Sequence, residues 1–244
     1  MHKGDTHNPM VRVLWESEAC MVVFKPAGLA TQAPSPHPSL EAMVRDHLAD
    51  ASKPNRYVAL PHRLDRPVSG VILVALTKRA ANLLSQQFES RKVHKRYLAW
   101  VQGDAPQCET QWQDSIRKLP DEARCEIADV NSSDAKLAVT TARVLSSRPA
   151  TGDDRGSTLL EMCPLTGRMH QLRLQCSHRG HPILGDAIYG SRTGFQPPIA
   201  LHAWAIEFHD PTNGKRVVVQ ADPIWPTEFM PPLSSVDTSS QPIR

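Results

Sequence analysis

The chain has 244 residues, 40% of them hydrophobic and 22% charged, with a formal net charge of +3. This composition excludes collagen-like, coiled-coil and wholly disordered chains, and the length supplies enough core to fold without disulfide staples. Lys plus Arg total 28 against 25 for Asp plus Glu, too mild an excess to announce a nucleic-acid partner unless the basic residues cluster. No stretch approaches the roughly 18 apolar residues of a spanning helix, and the first ten residues lack the apolar core of an export signal. The five cysteines contain no CxxC pair, so a reduced, cytoplasmic protein without a membrane partner is expected.

Short β-branched runs recur along the chain. Val11–Leu14, Cys20–Phe24, Val71–Ala75, Tyr97–Val101, Leu137–Val144, Leu159–Cys163, His202–Phe208 and Arg216–Gln220 each have strand length, most with flanking turn residues. Leu40–Ala49 after Ser39 and Lys78–Ser90 after Thr77 read as N-capped helices, the second with Leu83, Leu84 and Phe88 on a core-facing stripe. A third helix is predicted from Arg168 to His178, stopped by Gly180. Residues 104–110 and 146–156 read as surface loops. Strands outnumber helices and do not alternate with them regularly, so the expected class is α+β with a mixed, mainly antiparallel sheet. One catalytic domain over 11–230 is expected between a flexible N-terminus, 1–10, and a flexible tail, 231–244.

The densest polar cluster is His62-Arg63-Leu64-Asp65-Arg66-Pro67-Val68-Ser69-Gly70, just before the apolar run Val71–Val74. A loop entering a buried strand holds a reactive group in a fixed place, and cations beside Asp65 favour an ionised carboxylate. On these residues alone, a turn aspartate or a surface ion pair is the commoner role. In Leu165-Thr166-Gly167-Arg168-Met169-His170-Gln171-Leu172-Arg173, Arg168 at a helix start could grip a carboxylate or phosphate, or simply face solvent. The basic run Arg91-Lys92-Val93-His94-Lys95-Arg96 leads into Tyr97, pairing phosphate-binding side chains with an aromatic face as single-stranded RNA recognition requires; a solvated loop is the alternative. Cys176, His178 and His181 match no common zinc spacing, and His62, Asp65 and Ser69 lack the GxSxG elbow of a hydrolase.

Together these segments resemble the RluA family of pseudouridine synthases. The residues that carry the resemblance follow one order: Val22-Val23-Phe24-Lys25-Pro26-Ala27-Gly28; His62-Arg63-Leu64-Asp65 with Ser69-Gly70; Lys95-Arg96-Tyr97-Leu98-Ala99; Leu165 through Arg173; then Gly180-His181-Pro182-Ile183, Gly185-Asp186, Tyr189-Gly190 and Leu201-His202-Ala203. The resemblance spans roughly residues 11 to 222, too many ordered motifs for coincidence. It implies isomerisation of uridine to pseudouridine in a tRNA or rRNA stem-loop, without a cofactor or metal, by a monomer whose partner is RNA. The family's aspartate falls on Asp65, its tyrosine on Tyr97, and the arginine partner of the aspartate on Arg168. Arg63, Lys92, Lys95, Arg96, His170, Gln171 and Arg173 would bind substrate. The motifs begin near residue 20, so a compact member without the S4-like N-terminal domain is expected. Phe24 stands where the family usually has a small polar residue, and Val68 where it usually has Thr. The main alternative is a catalytically silent RNA-binding protein of the same fold.

Overall fold

The computed structural model describes residues 11–49, 56–105, 110–151, 155–192, 195–196 and 198–231. The expected flexible start at 1–10 and residues 232–244 of the expected tail lie outside the described residues.

The described residues form a 10-stranded sheet flanked by helices. The strands are β1 (Arg12–Glu16), β2 (Cys20–Lys25), β3 (Ser69–Ala75), β4 (His94–Gln102), β5 (Thr110–Lys118), β6 (Cys125–Ile127), β7 (Lys136–Arg148), β8 (Ser157–Pro164), β9 (Leu201–His209) and β10 (Arg216–Gln220). The helices are α1 (Leu40–Leu48), α2 (Lys78–Glu89) and α3 (Gln171–His178). Strand order is β1-β2-β3-β9-β4-β8-β7-β5-β6, with β10 paired to β9. All pairings are antiparallel except β3 with β9. This is the mixed, mainly antiparallel α+β architecture expected from the strand pattern.

The central strands read as unbroken apolar runs because both of their faces are buried. Along β2 and β3, Met21, Val23, Ile72 and Val74 join the larger core, while Cys20, Val22, Val71 and Leu73 join the second core on the opposite face. Helix α1 covers the first face with Leu40, Val44 and Leu48, and α2 covers the second with Ala80 and Leu84. Both helices begin where the sequence suggests, since Ser39 Oγ accepts the N–H of Ala42 and Thr77 Oγ1 that of Ala80.

The β3–β9 junction sets the centre of the molecule. Ser69 pairs with His202 and Gly70 with Ala203, and a Cβ at Gly70 (φ 129°) would collide with the Ala203 backbone. Buried His202 accepts from Ser69 Oγ at Nδ1 (2.8 Å) and donates from Nε2 to the Ala221 carbonyl (2.8 Å), and burial pushes its pKa down to about 4. Ser-Gly at the end of one motif and His-Ala in another are thus two halves of one contact. Phe24 packs in the second core, its ring 6.0 Å from His202 and 5.2 Å from the Arg12 guanidinium; Val68 is buried in the first.

Three expectations change. Strands β5 and β6 were not visible in the sequence, because an outer strand such as TQWQDSIRK buries only Ile116. The supposed loop at 146–156 begins inside β7, which runs to Arg148, and Thr110 already belongs to β5; 106–109 and 152–154 lie outside the described residues. Helix α3 starts at Gln171 rather than Arg168, because the Gln171 side-chain oxygen accepts the Arg168 N–H (3.0 Å) and the Thr166 hydroxyl (2.8 Å), closing 166–170 into a turn.

Candidate active site

A cleft of about 660 Å³ opens where the loop before β3, the start of β4 and the turn before α3 meet. Its lining includes Arg63, Asp65, Lys95, Tyr97, Arg168 and His170, drawn from three sequence motifs.

The Asp65 loop is anchored on both sides of the aspartate. Thr31 Oγ1 donates to the Leu64 carbonyl (2.7 Å) and accepts the Leu64 N–H (3.1 Å). Beyond Asp65, the Arg66 carbonyl receives the Gly28 N–H (2.8 Å) and the Lys25 ammonium (3.3 Å), while Arg66 Nε donates to Gly28 O (2.9 Å). Lys25 is fully buried, and its other donors go to the carbonyls of Pro26 (3.0 Å) and Leu29 (2.7 Å); burial pushes its pKa down to about 7. His62 accepts the Leu73 N–H (2.9 Å), and burial drives its pKa down to about 3. The Asp65 side chain itself is left partly exposed, facing the cleft.

Its cationic partner is Arg173, whose Nη1 lies 3.4 Å from Asp65 Oδ2. Arg173 is held by a bidentate pair with buried Asp186, at 2.7 and 2.8 Å. That geometry fixes the guanidinium plane before any substrate arrives. Partnership with Arg168 is therefore corrected: Arg168 precedes the helix, is exposed, and donates from Nε to the Leu137 carbonyl (3.0 Å) at the cleft's rim. The reason is where α3 begins: Arg168 lies before it in an exposed turn, whereas residues 171–176 are all buried, so Arg173 meets Asp65 from within the fold and its guanidinium is taken up by carboxylates.

The remaining sequence candidates divide by direction. Along β4, Lys95 and Tyr97 face the cleft, and Arg96 between them points to the other side. There Arg96 lies over the Trp204 ring (4.4 Å) and beside buried Glu161 (3.6 Å), which removes it from the substrate-binding set. Burial lowers the Lys95 pKa to about 8 and, with the Asp65 charge nearby, drives the Tyr97 phenol up, so Tyr97 stays protonated. Gln171 is likewise structural. Besides the turn, its amide donates to Val139 O (3.1 Å) and Thr140 Oγ1 (2.8 Å), so its polar atoms are consumed inside the fold. Arg63 lines the cleft and is exposed, and Lys92 is exposed outside the lining. His170 turns Nε2 to within 3.8 Å of Asp65 Oδ2. Cys176, His178 and His181 do not converge: the Cys176 thiol is buried against Met162 Sδ (3.7 Å) and His181 Nδ1 bonds the Gln102 carbonyl (3.1 Å).

The residues missed as site builders are Lys25, Thr31, Asp186 and Tyr189. Lys25, Asp186 and Tyr189 stood inside quoted motifs, but nothing in their spacing says that they bond to the Asp65 loop, to Arg173 and to His170.

The chain has recognisable relatives among known proteins. The profile of the RNA pseudouridylate synthase family matches residues 19–178. The chain is 38% identical over 183 residues to the dual-specificity RNA pseudouridine synthase RluA of Yersinia pestis, covering 72% of this chain and 81% of that one. It is 33% identical over 237 residues to tRNA pseudouridine synthase C of Salmonella typhimurium, covering 88% of this chain and 87% of that one. Over 213 residues it is 30% identical to the ribosomal large subunit pseudouridine synthase C of Haemophilus influenzae, 84% of this chain but 62% of the other. Among solved structures, human RNA pseudouridylate synthase domain containing 1 superposes with a TM-score of 0.72 at 28% identity, covering 95% of this chain and 88% of that one. The chain belongs to the RNA pseudouridylate synthase family, in its RluA branch.

Proposed function

We propose that the protein isomerises uridines in structured RNA, a tRNA or rRNA stem-loop, to pseudouridine, with Asp65 as the reacting group. The observation that carries this reading is the Asp65 carboxylate braced by Arg173 in an open cleft, with Tyr97 beside it and Arg63 and Arg168 on the rim. A protein that only bound RNA would have no use for a buried Asp186–Arg173 pair aimed at the partly exposed Asp65.

The chemistry conserves composition. The N1–C1′ bond breaks, C5 joins C1′, the proton on C5 leaves and N1 gains one, so no electrons enter or depart. Asp65 can attack the sugar or uracil, or take a proton from the sugar, as carboxylates do at glycosidic centres. Arg173 keeps the carboxylate in one orientation for either step. The target base must leave its stack to reach Asp65, and the Tyr97 ring offers a face on which the detached uracil can turn. Arg63, Arg168 and Lys95 supply positive charge for the phosphates around it, with Lys92 outside the cleft extending that rim.

The reading extends to a monomer in the cytoplasm, where the free thiols of Cys20, Cys125, Cys163 and Cys176 would stay reduced. Among the described residues, no helix is long and apolar enough to cross a membrane. Relatives are named for tRNA, for rRNA and for dual specificity, which is why both RNA classes belong in the test. The test is tritium release from RNA labelled at C5 of uridine, with wild type beside Asp65→Asn. Release by wild type alone supports the proposal; release by both, or by neither, refutes it.

A further inference from the structure

A second chain of side chains reaches the Asp65 oxygen that Arg173 approaches, Oδ2. The Tyr189 hydroxyl, in the short 3-10 turn Ala187–Tyr189, accepts the backbone N–H of Cys125 (3.0 Å) on β6. The same hydroxyl lies 2.8 Å from His170 Nδ1, and the two rings meet edge to face at 5.6 Å. The phenol oxygen accepts from Cys125, and the proton it can still donate has His170 Nδ1 at 2.8 Å; donated there, it leaves Nδ1 unprotonated. A neutral His170 then carries its hydrogen on Nε2, the nitrogen 3.8 Å from Asp65 Oδ2.

We propose that Tyr189 fixes His170 as an Nε2–H donor aimed at Asp65, making His170 a second positioning residue for the carboxylate. The inference rests on Asp65 being the reacting group, and it goes beyond that reading by assigning the tautomer and the part played by β6. Tyr189 is itself held, with its carbonyl accepting from Ser177 Oγ (2.6 Å) and the Arg173 guanidinium 5.2 Å from its ring centre. His170 occupies the position before α3 with a left-handed backbone (φ 53°), which turns its ring out of the helix and toward the cleft. The charged and titratable groups facing it are Asp65, Arg173, Asp186 and Tyr189, and burial outweighs the pull of Asp65 to keep the imidazole neutral. At 3.8 Å the Nε2–H sits just beyond a full hydrogen bond, so a small movement of Asp65 on substrate entry brings it into range.

The experiment pairs kinetics with a spectroscopic readout on the full chain. In wild type selectively labelled with 15N-histidine, His170 should show an unprotonated Nδ1 and a protonated Nε2, and Tyr189→Phe should shift that tautomer balance. A glutamine amide reaches the place of Nε2, whereas an asparagine amide reaches only that of Nδ1. His170→Asn should therefore lower kcat on the order of 10- to 100-fold with KM for RNA unchanged, and His170→Gln should restore part of that loss. A protonated Nδ1 in wild type, or wild-type kcat in His170→Asn, overturns the assignment. Asp65→Asn in the same assay separates the two failures: its retained turnover would sink the role of Asp65, whereas a dead Asp65→Asn beside a fully active His170→Asn would sink only the role of His170.

Discussion

Replacing the two arginines of the third motif in parallel separates the roles that the sequence confuses. Arg173 and Asp186 expose only 3% and 1% of their side chains, and they bond in a fork at 2.7 and 2.8 Å. Arg173→Ala leaves the Asp186 carboxylate buried without its cation, a change that costs about 3–5 kcal/mol. For a domain of this size each kcal/mol moves the midpoint by about 2–4 °C, so melting should fall by roughly 6–20 °C. Arg173→Lys keeps the charge but cannot span Asp186 and Asp65 with one rigid fork, so kcat should drop while most of the stability remains. Arg168→Ala removes an exposed side chain with a single contact to the Leu137 carbonyl, and its stability should lie within about 0.5 kcal/mol of wild type. Its effect should appear as a raised KM for RNA at unchanged kcat. Thermal unfolding and C5 tritium release on the same preparations read both quantities. The reasoning fails if Arg168→Ala loses kcat while Arg173→Lys turns over like wild type.

Asp65→Asn should leave melting and RNA affinity near wild type while abolishing tritium release, and measurable release from the purified variant would contradict it. Gly70→Ala sets a methyl against the Ala203 backbone with no flexible side chain to yield, and should prevent accumulation of soluble protein at 37 °C; a normally folded variant would show that β3 and β9 can separate. His62 and His202 are held at about 3 and about 4, below the ordinary value of 6.5, so the folded state binds fewer protons than the unfolded chain. Stability is therefore fully present above pH 6.5 and declines toward pH 4, by about 1.4 kcal/mol per pH unit for each imidazole. Urea titrations between pH 4.5 and 7 should show this slope, and it should lessen in His202→Gln. Lys95→Ala should weaken RNA binding and flatten its salt dependence, and wild-type affinity should decline as pH rises past about 8, where the Lys95 charge is lost.

The strands that the sequence reveals are those buried on both faces or alternating cleanly, such as Cys20–Lys25 and Ser69–Ala75. Thr110–Lys118 escapes because it is an outer strand whose side chains are mostly polar or half exposed, so its place is set by pairing with β7 rather than by its own pattern. Asp65 and Tyr97 stand in two separate motifs, and both line the cleft. The Arg168–Arg173 exchange is not legible in the sequence, because both residues lie in one short basic segment and only the start of α3 decides which is buried. That start depends on Gln171 bonding back to Thr166 and Arg168, a side-chain contact with no trace in hydrophobic periodicity. Arg96 points away from the cleft for a simpler reason: a basic run on a strand alternates faces, so neighbouring cations cannot all point into one cleft.

A loop that presents a carboxylate to a cleft has little backbone ladder to hold it, so its precision must come from side chains. Around Asp65 those side chains are buried polar groups, each costly to bury alone and each satisfied by a loop backbone atom. Thr31 closes on Leu64, and Lys25 and Gly28 close on Arg66, so the residues flanking the aspartate are both fixed while its carboxylate is left to Arg173 and the cleft. An ammonium that bonds three carbonyls in the core is poorly placed for phosphate binding but well suited to pinning two crossing turns. The Lys-Pro-x-Gly motif, 41 positions upstream of Arg66 at its lysine, therefore acts as a brace for the aspartate motif. The positive φ of Gly28 (85°) lets the turn present its N–H and carbonyl to Arg66 together, which is why that motif ends in glycine.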